Sequence, residues 1–143
     1  MMRSIKTDLN ELCDAYSMNN DEIDHFLDVE TGEIIVRLDP VLTGERDEEW
    51  DEELEFNDRY IHVPKIDSDT AYHLMTEFAS TVTSKVLGEA LEEALHRRKP
   101  FRGFKDVISD FPEERNRWFE FEREAHQRAV LEWLEQNNIK LTR

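Results

Sequence analysis

Residues 97–105 read Arg-Arg-Lys-Pro-Phe-Arg-Gly-Phe-Lys, five bases and no acid in a chain of net charge −16. Guanidinium and ammonium groups so grouped can grip carboxylates or phosphates, and a phenylalanine among them can offer a stacking face. The candidate binding residues are therefore Arg97, Arg98, Lys99, Phe101, Arg102, Phe104 and Lys105. A structural account competes. Arg97, Arg98 and Lys99 in the last turn of a helix would complement its dipole and its free carbonyls. Phe101 and Phe104 also share core spacing with Ile108 and Phe111, which would leave Arg102 and Lys105 pointing outward, toward the acidic 45–58 stretch.

A second constellation is Glu122 and His126, four residues apart within an apolar helical stripe that includes Trp118, Ala129 and Trp133. A partly buried carboxylate–imidazole pair can move a proton, although such pairs are more often structural. His25 and His62 fall on expected strands that can bring them close. The acids of 47–53 lack the central glycine and alternating oxygen ligands of a calcium loop, and they read as a solvated face. No histidine pair sits four apart on a helix, and the single cysteine, Cys13, has no partner for zinc. Nucleophile elbows and glycine-rich phosphate loops are missing from a chain with four glycines. The motif inventory therefore implies no metal and no cofactor, and it leans away from an enzyme.

These groups need a scaffold, and 143 residues suffice for one core. Charged residues make up 36% of the chain, a composition that leans toward disorder, but regularly spaced aromatics indicate a folded domain. Helical spacing of Leu9, Leu12, Cys13 and Tyr16 predicts a helix over 8–18, capped by Thr7 or Asp8 and leaving at Asn19-Asn20. Alternation through Ile23–Val29 and Ile34–Leu38 around Thr31-Gly32 predicts a β-hairpin. A two-residue turn would set Val29 opposite Ile34 and Leu27 opposite Val36, with Glu30 facing Glu33. Asp39-Pro40 ends the second strand. Trp50 and Leu54 can pin a short helix, and residues 59–63 form a third strand. Helical stripes follow: Ala71 to Val82, Val86 to Leu95 and on to Lys99, Phe101 to Phe111, and a long one over roughly 113–136. In that last helix Trp118, Ala125, Ala129 and Trp133 face inward, with Phe119, Phe121, Val130 and Leu134 on the flanks. The expectation is a single α+β domain over 1–143. It has a small antiparallel sheet (the hairpin plus a third strand) packed against several α-helices, an all-helical C-terminal half, and an acidic stretch at 42–58.

The blocks Phe26–Val36, Arg59–Pro64, Leu74-Met75 with Phe78, Phe101–Asp106, Trp118–Glu122 and Trp133-Leu134 with Ile139 occur in an order that resembles uncharacterised protein family 0158. The likeness runs over about 23–140. It departs at Lys99-Pro100, where small residues such as Gly-Ala are expected. The resemblance implies a bacterial, cytoplasmic setting and carries over no catalytic residue.

Charge distribution narrows the partner. Residues 39–58 hold ten acids and one base, whereas 59–143 hold fifteen acids and fourteen bases. Such a field repels nucleic acid at long range, so any contact with it must be local. No apolar run is long enough for a membrane, no signal peptide is recognisable, and one cysteine suits a reducing compartment. The favoured reading is a non-catalytic bacterial interaction or regulatory protein that meets a protein partner through its basic segment, its acidic stretch or both. Nucleic-acid binding through 97–105 is the alternative, and a small hydrolase using Glu122 and His126 a weaker one.

Overall fold

A computed structural model describes residues 2–18, 20–38 and 48–142. In chain order the elements are β1 (Arg3–Ile5), α1 (Leu9–Ser17), β2 (Ile23–Asp28), β3 (Ile34–Leu38), α2 (Glu48–Phe56), β4 (Tyr60–His62), α3 (Ser68–Thr81), α4 (Lys85–Leu95), α5 (Pro100–Ile108), α6 (Pro112–Gln136) and β5 (Ile139–Leu141). The class is α+β. Asn19, Asp39-Pro40 and the part of the acidic stretch over 42–47 lie outside the described residues. Two compact units emerge, a mixed one of Met1–Ile66 with His126–Arg143 and a helical one of Asp67–Ala125.

Three helices start at side-chain caps that the sequence supplies. The Asp8 carboxylate accepts from Asn10 N at 2.9 Å and Glu11 N at 3.2 Å, so Asp8 rather than Thr7 opens α1. Asp67 serves α3 through Thr70 N at 2.7 Å, and Ser84 serves α4 through Leu87 N.

In the mixed unit the antiparallel sheet has the order β3-β2-β4. The hairpin exists, but its register differs from expectation: Leu27 pairs with Ile34 and His25 with Val36. Asp28 causes the shift. Its carboxylate accepts from Glu30 N (2.9 Å) and Thr31 N (3.2 Å), its carbonyl accepts from Gly32 N (2.7 Å), and its own N–H donates to Glu33 O (2.9 Å). These bonds close a longer loop than a two-residue turn, with Gly32 left-handed at φ 80°. A slip of two residues keeps every side chain on its face, so the hydrophobic pattern could not distinguish the two registers. The longer loop also takes Glu30 away from Glu33 and pairs it with Arg59 at 3.2 Å.

The parallel pair β1–β5 was not expected. Each strand is three residues long and buries one isoleucine, Ile5 or Ile139. Leu12 of α1, Leu27 of β2, Val63, and Val130 and Leu134 of α6 complete this core. Val130 and Leu134 are thus central rather than flanking.

The helical unit is organised around aromatics. Phe78, Phe104 and Trp118 meet edge to face, with Phe104 and Trp118 centroids 4.8 Å apart. Leu87 and Leu91 fill the remainder. The Arg117 guanidinium lies 4.3 Å from the Phe78 ring centroid and donates to Thr81 Oγ1 at 2.8 Å. Phe119, by contrast, is exposed.

Candidate docking site

The basic segment is positioned by a sharp turn between α4 and α5. Helix α4 stops at Leu95, short of the expected Lys99, so Arg97, Arg98 and Lys99 do not occupy its last turn. Pro100 takes the first helical position of α5 and disfavours right-handed helix at Lys99, so the two helices do not run on as one. Lys99 adopts φ 56°, ψ 58° instead, a left-handed conformation that costs a non-glycine residue about 1 kcal/mol. This is the position where the family resemblance leads one to expect a small residue. A glycine would hold this backbone without strain; this chain places a lysine there.

Gly103 allows the two helices to approach closely. A Cβ on it would sit 3.3 Å from Ala94 Cβ. Arg97, Arg98, Lys99 and Arg102, with one acid, Asp106, surround a shallow depression of about 400 Å³ whose floor includes Ala94, Gly103 and Val107. Arg97 pairs with Glu93 one turn back, and Arg102 reaches Asp106 only at 3.9 Å. Arg98 and Lys99 are exposed and make no ion pair among the described residues.

Three other candidates, Phe101, Phe104 and Lys105, do not line this hollow. Phe104 is fully buried against Phe78 and Trp118, so it offers no ligand a face; Phe101 is 37% exposed and remains open. Lys105 does not line the depression, and its charge acts on Glu122. Burial raises the Glu122 pKa while Lys105 opposes the rise. His126 belongs to the mixed unit, where it meets Tyr16 edge-on at 5.4 Å, and burial lowers its pKa.

A polar cluster invisible to sequence reasoning lies on the sheet. Asp24 of β2 receives Arg37 (3.2 Å), His62 (3.2 Å) and Lys65 (3.3 Å). Burial pushes the Asp24 pKa up, but the hydrogen bonds from His62, Arg37 and Lys65 outweigh it and the net direction is down. His25, on the same strand, has its pKa lowered by burial first and by Lys65 second, with a smaller effect from His62. These partners are scattered over some forty positions of sequence, and only strand pairing unites them. Arg37 also stands 3.9 Å from Asp51 of α2, so opposite charges are well matched here. Among the described residues, no three His, Cys, Asp or Glu side chains converge as metal ligands.

Comparison with known proteins agrees with the resemblance read from the blocks. The model of the Uncharacterised protein family (UPF0158) matches residues 2–143, and the chain belongs to that family. A UPF0158 protein of Pseudomonas aeruginosa is 29% identical over 97% of this chain and 88% of its own length. UPF0158 proteins of Chlamydia trachomatis and Chlamydia muridarum are each 28% identical over 90% of this chain, which spans only 40% and 39% of their lengths. No solved structure matches significantly.

Proposed function

We propose that this UPF0158 chain is a non-catalytic interaction module that docks an acidic segment of a protein partner on the turn between α4 and α5. The observation that carries the reading is the pair Arg98 and Lys99, exposed and without carboxylate partners among the described residues, with Lys99 left-handed, beside an apolar floor. The left-handed Lys99 supports the reading, because strained backbone clusters at functional sites. Arginine forks suit carboxylates. The net charge of −16 does not forbid an acidic ligand. At physiological salt, charges more than about 8 Å away are screened, so the local cations dominate at contact.

The test is fluorescence anisotropy with a fluorescein-labelled peptide of alternating Glu and Phe, in about 0.15 M salt. The wild-type chain binds it, and Arg98→Glu with Arg102→Glu weakens binding at least about tenfold, as expected for reversing two exposed ion pairs. Equal binding by the variant overturns the reading. Tighter binding of a single-stranded oligonucleotide, with a steep loss as salt rises, would favour nucleic acid instead.

A further inference from the structure

We propose that the acidic segment seated on this turn is helix α2 of a second copy of the same chain, an inference that rests on the docking reading above. Residues 48–58 contain seven acids and no base. Glu49, Glu52, Glu53 and Phe56 follow one another at helical spacing and, with Trp50 and Asn57, line an open hollow of about 700 Å³. The helix is anchored by Leu54, which is buried, while Asp51 is engaged by Arg37. Phe56, at 75% exposure, is the most open large apolar side chain among the described residues. Its own unit makes no use of it.

The two surfaces match in chemistry. The stripe on α2 offers carboxylates ending on a phenylalanine; the turn offers Arg98 and Lys99 without carboxylate partners among the described residues, and Arg102 held by Asp106 only at 3.9 Å, around a floor of Ala94, Gly103 and Val107. Because one polypeptide carries both halves, the two complementary surfaces are always present at equal concentration. The two surfaces differ, so the contact either forms reciprocally within a two-fold pair or runs head to tail into a ring or an open chain. Whole-chain repulsion opposes it in dilute buffer, but a Debye length of about 8 Å at physiological salt screens that repulsion while ion pairs at contact persist. Association is therefore strongest near about 0.15 M salt and weaker both near about 0.01 M and near about 1 M.

Sedimentation velocity on the full chain tests this. The wild type shows a mass that rises with concentration in about 0.15 M salt. Phe56→Ala, which leaves every charge in place, weakens association about tenfold or more, as loss of a buried phenylalanine would. Arg98→Glu/Arg102→Glu and Glu49→Lys/Glu52→Lys are each monomeric, and mixing them in equal amounts restores a complex, because each supplies the half that the other lacks. A wild type that stays monomeric up to about 1 mM overturns the proposal. So does self-association that ignores all three variants. If the Glu–Phe peptide still binds such a monomer, the docking reading stands with a different partner; if the peptide also fails to bind, both readings fall.

Discussion

Replacing Asp28 by asparagine separates two jobs that one side chain performs. Asparagine keeps an oxygen where Glu30 N and Thr31 N donate, but it removes the charge held by Arg59 through Nε at 3.0 Å and Nη2 at 2.8 Å. The Arg59 guanidinium beside it lowers the Asp28 pKa from 3.8 to about 2 despite burial. A shift of that size corresponds to about 2.5 kcal/mol, and because Arg59 is open to water, screening reduces the expected cost to about 1–2 kcal/mol at pH 7. The sign is fixed by the direction of the shift. A carboxyl with a depressed folded pKa adds stability above its unfolded pKa, near 4, and that contribution disappears as pH falls through 2. About half of it remains at pH 3. Urea denaturation followed by circular dichroism, at pH 7 and in steps down to about pH 2.5, reads the gap between Asp28→Asn and wild type. A gap that stays constant across this range, or one below about 0.3 kcal/mol at pH 7, would refute a charge-based role for Asp28.

Gly32→Ala should destabilise the chain by more than about 2 kcal/mol in the same assay, because φ is 80° and the new Cβ would lie 2.0 Å from Lys6 O. Phe104→Ala should cost about 3–5 kcal/mol and Phe101→Ala under about 1, which distinguishes a core aromatic from an exposed one; similar losses would contradict that assignment. Lys99→Gly should gain about 0.5 kcal/mol by relieving the left-handed strain while weakening peptide binding through the loss of a cation; unchanged binding would remove Lys99 from the site. Burial raises the Cys13 thiol to about 11, so iodoacetamide at pH 8 should modify the native chain at least about a hundredfold more slowly than the urea-unfolded one; equal rates would place Cys13 at the surface.

The periodicity of apolar residues, with Asp8, Asp67, Pro100 and the hairpin alternation, was enough to specify the α+β class, the three-stranded sheet and the helices of the second half. These signals are local, set by side-chain repeat and backbone chemistry within a few residues. What depended on partners distant in sequence was illegible. The β1–β5 pair joins strands about 130 positions apart, each too short for a pattern, and the Asp24 cluster gathers residues from three elements and a loop. The hairpin register escaped because a two-residue slip leaves the faces unchanged and only the Asp28 bonds decide it. At the candidate site the composition announced the cations, but only packing could assign them. Burial took Phe104 into the core, Lys105 fell outside the hollow, and the proline-forced turn at Lys99 set Arg98 and Arg102 around one depression.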